Sequence, residues 1–167
     1  MIALQITSLK QFMNTFLLSD TFDIFLLEKA SITTYNTFEI DGRQNRAFYS
    51  DEEWEDPAIR PYEFSCWKDL KGLCFDLIKG HRTPAAFKFV LQLCPKYVKG
   101  ILEHGDTLLT EQDIKALVIT LKYNGSELML LTGTSMNTFL PDHSAELCWD
   151  QAMLRFLNKR GLDYEQL

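Results

Sequence analysis

The sequence lacks the segments that send a protein to a membrane or out of the cell. Its first ten residues, MIALQITSLK, contain neither a basic leader nor an apolar run of signal-peptide length. Apolar runs such as Leu128 to Leu131 are far shorter than the roughly 20 apolar residues that a bilayer span needs. We therefore expect a cytoplasmic protein with no membrane partner.

Motifs for disulfides and metal ions are also missing. The four cysteines are scattered without a C-x-x-C pair, so we expect reduced core residues and neither a disulfide nor a zinc framework. His143 and Cys148 lie five residues apart, which places them on different sides of a helix and disfavours a shared metal ion. We expect no metal and no cofactor.

No catalytic motif is complete. The stretch TGTS at residues 132–135 is too short for a phosphate loop and lacks the Gly-Lys-Thr/Ser ending. Cys94 precedes Pro95 at a predicted helix start, where a helix dipole lowers a thiol pKa, but the sequence places no histidine nearby. The carboxylates show no spacing typical of acid–base pairs. The sequence therefore indicates no catalytic residue.

What the sequence does contain is the composition of a globular protein. Of its 167 residues, 46% are hydrophobic and 24% are charged, and 12 Phe, 6 Tyr and 3 Trp predict a core rich in aromatic rings. A chain of this length buries roughly two-thirds of its unfolded surface. We therefore expect residues 1–167 to form a single domain.

Hydrophobic periodicity predicts alternating strands and helices. A capping box at Ser8 and Gln11 opens a helix, and Asp41-Gly42 is typical of a hairpin turn. Residues 106–115 show no clear pattern. The other predicted elements are strands at 2–6, 31–40, 43–49, 62–66 and 85–93, an irregular acidic loop at 51–61, helices at 67–80 and 95–105, and a helix at 144–160 capped by Ser144 and followed by a fraying tail.

The segment ALVITLKYNGSELMLLTG, residues 116–133, predicts a β-hairpin. Asn124-Gly125 is a strong short-range hairpin signal. A two-residue turn there places Lys122 opposite Glu127 and, on the other face, Leu121 opposite Leu128. Charge and burial then favour one register.

The predicted elements occur as β-α-β-β twice. ALQITSLKQF near the start resembles VLQLCPKYVK at 90–99, and TTYNTF at 33–38 resembles TSMNTF at 134–139. Two explanations stay open: a duplication with halves 1–50 and 86–140 and a connecting segment 51–85, or chance recurrence of common β-sheet residues. Either way we expect an α+β fold, mainly an antiparallel sheet covered by three or four helices, with a C-terminal helix at 144–160.

Two resemblances accompany this pattern. The chain resembles an uncharacterised family of small bacterial proteins in two segments, YEFSCWKDLKGLCFDLIKGHRTPAAFKF and LLTGTSMNTF. Because that family has no assigned function, the resemblance implies no site residues. Duplicated β-α-β-β with helices on one sheet face is similar, in element order only, to the domain plan of DNA sliding clamps. Fold alone does not determine function, and a clamp ring would require an oligomer of this chain.

Charge is unevenly distributed. The net charge is −6, but residues 66–100 carry +5 from seven basic and two acidic residues. The basic residues are Lys68, Lys71, Lys79, Arg82, Lys88, Lys96 and Lys99. Aromatic residues interleave with them, as proteins that bind nucleic acid require for base stacking, although their alternation favours a core role. Alternatively, this stretch faces the acidic cluster at 51–56 within the same molecule.

The segment KGHRT at the end of the second long helix contains the candidate anion-binding residues. Arg82 with Lys79 can clamp a phosphate, Thr83 adds a donor, and His81 lies between them. The competing interpretation is a cation-rich helix C-terminus, favoured by a macrodipole that repels anions, followed by a Thr-Pro turn.

Two functional hypotheses follow from these observations. The first is a non-catalytic binding or assembly module that forms homo-oligomers through its sheet edges or makes weak nucleic-acid contact through residues 66–100. The second is an enzyme that acts on a small anionic or phosphorylated ligand near residues 79–83.

Overall fold

The computed structural model describes residues 1–167. The strands are β1 (Ala3–Ile6), β2 (Phe25–Thr33), β3 (Thr37–Asp41), β4 (Ala86–Leu93), β5 (Ile114–Tyr123), β6 (Leu128–Met136) and β7 (Tyr164–Gln166). The helices are α1 (Leu9–Leu18), α2 (Asp51–Glu55), α3 (Trp67–Ile78), α4 (Val98–Glu103) and α5 (Ser144–Lys159), with 3₁₀ turns at Arg46–Phe48 and Pro95–Tyr97.

The seven strands form one sheet in the order β3-β2-β4-β5-β6-β1-β7. Every neighbouring pair is antiparallel. The α+β prediction with a mainly antiparallel sheet is therefore confirmed. One continuous sheet also contains strands from both of the halves, 1–50 and 86–140, that the sequence suggested.

The two faces of the sheet differ because side chains alternate along each strand. On β4, Phe87, Phe89 and Leu91 are buried, whereas Lys88 between them is exposed. The apolar residues of α1, α3, α4 and α5 belong to the same cluster of 31 buried residues as the inward strand residues. The helices thus cover one face. The other, called the open face, is uncovered except at Leu26, which is buried in a small cluster with Phe64 and Cys94.

Aromatic rings occupy the centre of this core. The Phe16 and Trp67 rings stack with centroids 4.4 Å apart, and Phe89 meets both edge-on. The indole Nε1 of Trp67 donates a 3.1 Å hydrogen bond to the Phe16 carbonyl, so its one polar atom is satisfied. These contacts join α1 and α3 to β4, which confirms the predicted ring-rich core.

The segment between β3 and α3 differs from the prediction. Asp41-Gly42 is not a hairpin turn; residues 34–36 make the turn between β2 and β3. A Cβ at Gly42 would lie 1.7 Å from the Leu27 carbonyl oxygen, so the glycine is needed for this close approach. The predicted strands at 43–49 and 62–66 are absent; these segments contain a 3₁₀ turn at Arg46–Phe48 and pair only through isolated bridges, at Arg43–Phe64 and Leu26–Cys66.

Two predicted helix caps, at Ser8 and Ser144, were wrong in detail. The Ser8 hydroxyl makes no capping contact with α1 and instead accepts the Asp163 N–H at 3.1 Å. The capping box lies at Ser50 and Glu53, at the start of α2. Ser144 is the first residue of α5 and not its cap: the N-cap is His143, and the Asp142 side chain accepts the Ser144 N–H at 2.8 Å.

The C-terminal tail is ordered and does not fray. Its residues form β7, which pairs with β1 and places Tyr164 opposite Ile6. The tail lacks a hydrophobic pattern of its own, so only the distant partner strand determines its structure.

The β5–β6 hairpin forms around Asn124-Gly125, but its register was predicted wrongly. Tyr123 lies opposite Leu128 and Lys122 opposite Met129. The Asn124 side chain accepts N–H groups from Ser126 and Glu127, which closes a four-residue loop. The shift is two residues, so every side chain keeps its predicted face.

The order β-α-β-β does occur twice, as β1-α1-β2-β3 and β4-α4-β5-β6. The equivalent strands are placed differently in the sheet: β4 lies beside β2 and β5, whereas β1 lies beside β6 and β7. Whether the two units arose by duplication stays a prediction.

Candidate functional site

The candidate anion-binding residues lie in the connector between α3 and β4. The Lys79 N–H donates to the Phe75 carbonyl at 2.8 Å as the helix ends. Gly80 follows with a φ of 150°, which glycine adopts readily. The chain can therefore turn sharply and place residues 81–83 beside the tip of the β2–β3 hairpin.

The connector and the hairpin tip enclose a groove of about 380 Å³, named here the 79–83 groove. All four predicted residues, Lys79, His81, Arg82 and Thr83, line this groove. The remaining lining residues are Thr34, Tyr35, Leu77, Ile78, Gly80 and Ala85. No carboxylate belongs to the lining.

Lys79 and Arg82, the lysine and the arginine of the groove, differ in whether their charge is already paired with a carboxylate. Lys79 Nζ pairs with Asp76 Oδ1 at 2.8 Å and lies 5.6 Å from the Phe75 ring centroid. Arg82 is exposed and forms no salt bridge. Arg82 therefore has the unpaired cationic group among the four candidate residues, whereas the charge of Lys79 is already paired.

The β2–β3 hairpin supplies two groups that sequence analysis missed. The Tyr35 side chain is 87% exposed, and its ring meets Phe38 edge-on at 5.9 Å. The Thr34 hydroxyl is buried without a hydrogen-bond partner. Both belong to TTYNTF, the repeated stretch, but nothing local in the sequence shows that this hairpin packs beside residues 79–83.

The second Asn-Thr-Phe stretch does not contribute to the groove. It follows β6 at the opposite end of the sheet, where Asn137 Nδ2 donates to the Gln112 carbonyl at 2.7 Å. Phe139 is 95% exposed there. The two similar stretches thus have different structural roles.

The basic residues of 66–100 do not form one surface. Lys71 lies on α3, where it contacts the Ser19 carbonyl at 2.8 Å and Asp23 Oδ1 at 2.7 Å. Lys88 lies on the open face of the sheet, and Lys99 lies on α4. The stretch is therefore divided among the helical layer, the open face and the opposite end of the sheet.

The acidic cluster at 51–56 makes no salt bridge with this basic stretch. Asp51 pairs instead with Arg46. The Arg60 guanidinium lies 3.4 Å from the Trp54 ring centroid, and Arg46 lies 5.4 Å from it. Local arginines and an indole ring therefore stabilise the acidic segment.

The environments of the four cysteine thiols favour the protonated form. Burial raises the pKa of Cys94 to about 11 and the pKa of Cys74 to about 12. Burial also raises the pKa of Cys66 and of Cys148. The dipole effect expected at Cys94 is thus outweighed by desolvation.

No three His, Cys, Asp or Glu side chains lie close enough together to hold a metal ion. His143 Nδ1 lies 3.5 Å from Glu146 Oε2, and Cys148 packs under Gly105. None of the helices combines the length and the apolar character needed to cross a membrane.

Comparison with known proteins places the chain in one family. Neither a curated protein nor a solved structure matched the sequence. A family model, described as a family of unknown function (DUF5721), matches residues 15–165. That span contains the residues of the 79–83 groove and five complete strands, β2 to β6. The chain therefore belongs to this family of unknown function, DUF5721.

Proposed function

We propose that the protein is a non-catalytic binding module that binds a small anionic ligand in the 79–83 groove. One observation carries the proposal: a free arginine, an exposed tyrosine ring and a buried unpaired hydroxyl converge on a groove with no carboxylate in its lining. Arg82 offers a planar fork for phosphate or carboxylate oxygens. Tyr35 offers a flat surface for an aromatic group.

Electrostatics limit the expected affinity. The C-terminal end of α3 presents partial negative charge to the groove, and Asp76 neutralises part of the Lys79 charge. Arg82 offsets both effects. A bidentate contact from Arg82 makes two charge-assisted hydrogen bonds of about 1.5–3 kcal/mol each, or about 3–6 kcal/mol in total, so we expect dissociation constants between about 40 µM and 6 mM.

Binding is favoured over catalysis at this groove because of the groups present. A catalytic base must be held by hydrogen bonds beside the nucleophile that it activates. His81, the available base, is exposed, and neither His81 nor Thr83, the available nucleophile, makes a side-chain hydrogen bond. The enzyme hypothesis remains the alternative for the same groove.

Assembly through sheet edges receives less support. The edge strands β3 and β7 have only five and three residues, and β3 presents Glu39 and Asp41. Short, charged edges disfavour strand addition.

A cytoplasmic location is supported by the four free cysteines, which fit a reducing compartment.

Thermal-shift measurements with phosphate, pyrophosphate and ADP test the proposal. At ten times the dissociation constant, a ligand should raise the melting temperature by about 3–6 °C. At the same ligand concentration, Arg82→Ala should reduce the shift to about 1–2 °C, as expected for about tenfold weaker binding. Arg155→Ala, which removes an exposed arginine on α5, is the matched control and should leave it unchanged.

A single-stranded oligonucleotide tests the nucleic-acid variant. If the groove also binds nucleic acid, retention should fall steeply as salt rises, because phosphate contacts release counterions. Salt-independent or absent retention excludes this variant and leaves the small-ligand proposal to the thermal shifts.

A further inference from the structure

The open face of the sheet contains two lysines that oppose each other directly. Lys88 on β4 and Lys122 on β5 are partners in the antiparallel register. Directly opposed side chains have Cβ atoms about 4.5–5.5 Å apart, and like charges at that spacing repel. Both side chains are exposed, and neither forms a salt bridge.

These lysines lie on a groove of about 400 Å³, named here the sheet groove. Ser31 lies opposite Lys88 on β2, and Met129 lies opposite Lys122 on β6. Thr33, Ala86, Phe87, Tyr123, Asn124 and Glu127 complete its lining. Glu127 is the one carboxylate that faces the groove, so the lining carries a net charge of +1.

The strands beneath the sheet groove are central and rigid. The rings of Phe87 and Tyr123 stack under the lysine pair on the core face, with centroids 5.0 Å apart. The paired backbone therefore fixes the spacing of the two Cα atoms and keeps both lysine side chains on one side of the sheet. No helix packs over them, because the helical layer covers the opposite face.

We propose that the sheet groove is a second anion-binding site, which takes a phosphate or diphosphate group between Lys88 and Lys122 with the Ser31 hydroxyl as a further donor. Lysine ammonium groups act as point charges and suit the multiply charged, roughly spherical phosphate group. Without an anion, the two ammonium groups repel each other; an anion bound between them would be attracted by both. This site is independent of the 79–83 groove.

Lys29 provides a matched control on the same face. It is also exposed and lies on β2, but its partner in the register is Asp41 on β3. An anion gains less beside Lys29 because a carboxylate already faces it. Removing Lys29 changes the total charge of the protein by the same amount as removing Lys122.

Titration of inorganic pyrophosphate, followed by backbone amide NMR, tests this site. The amides of Ser31, Lys88 and Lys122 should shift saturably in the wild type and in Arg82→Ala. Lys122→Ala should weaken binding at least about fivefold, as expected from losing one unit charge about 4 Å from the anion. Lys29→Ala should have a much smaller effect.

Three results would overturn the proposal. One is that none of the three amides shifts saturably. Another is that Lys29→Ala weakens binding as much as Lys122→Ala, because general charge would then explain the effect. The third is a concentration-dependent shift without pyrophosphate, together with a dimer mass in light scattering, because a second copy would then occupy this face.

Discussion

The hydroxyl of Thr132 on β6 donates a hydrogen bond to the carboxylate of Asp150 on α5, and both residues are buried. The same hydroxyl oxygen accepts the Ile2 N–H at 2.9 Å. These two bonds connect the last long helix to the sheet and to the start of the chain. Together with the indole hydrogen bonds of Trp67 and Trp149, they are polar contacts within an otherwise apolar core.

Replacing Thr132 by Val should lower the free energy of unfolding by about 1–3 kcal/mol. The change leaves the Asp150 carboxylate without its hydroxyl donor in a buried setting. Urea unfolding measures the effect. Thr120→Val, on the open face and without a side-chain hydrogen bond, is the control and should change stability by less than about 0.5 kcal/mol.

Two glycines should respond oppositely to alanine. Gly42→Ala should destabilise by about 1–3 kcal/mol or more, because the new Cβ would meet the Leu27 carbonyl oxygen. Gly72→Ala on α3 meets no atom within 4 Å and should stabilise by about 0.5–1 kcal/mol. Thermal and urea unfolding of both variants check the prediction. Equal effects would contradict the close approach at Gly42.

The lysine pair of the sheet groove should lower stability in the absence of an anion. Lys88→Glu creates an opposite-charge pair with Lys122 and should stabilise by about 0.2–1 kcal/mol at low salt, with a smaller gain in 1 M NaCl. Lys29→Glu should destabilise, because it faces Asp41. Stabilisation by both changes, or by neither, would show that cross-strand charge is unimportant here.

Stability should decrease at alkaline pH because of the buried thiols. Burial raises the pKa of Cys74 to about 12 from an ordinary value of 9.0. Above pH 9 the unfolded chain releases this proton while the folded protein retains it, so the free energy of unfolding falls as pH rises toward 12. Cys74→Ala should show a shallower decline between pH 8 and 10.5 in urea titrations. Identical slopes would contradict this assignment.

Local patterns in the sequence predicted much of the fold. Hydrophobic periodicity identified helix α1, strand β4 and the β5–β6 hairpin. Each of these elements buries one face, so its apolar residues recur at the period of a helix or of a strand. The hairpin register was wrong because the Asn124 side chain closes a longer loop than the dipeptide Asn-Gly implies. The strand β7 and the sheet order depend on distant partners, which no local pattern contains.

The candidate site was predicted only in part. Residues 79–83 were recognised because charged side chains gather around a helix-ending glycine. Thr34 and Tyr35 were missed, because their position depends on packing between a hairpin and a connector that lie some fifty residues apart in sequence. The lysine pair was missed for a similar reason: the opposition of Lys88 and Lys122 appears only when the β4–β5 register is known.

Calorimetric titration of pyrophosphate and ADP into the wild type, Arg82→Ala and Arg155→Ala tests the central claim most directly. The proposed function predicts saturable binding of at least one ligand to the wild type, about tenfold weaker binding to Arg82→Ala, and unchanged binding to Arg155→Ala. No binding of either ligand, or equal affinity in all three proteins, would contradict the claim that Arg82 anchors an anion in the 79–83 groove.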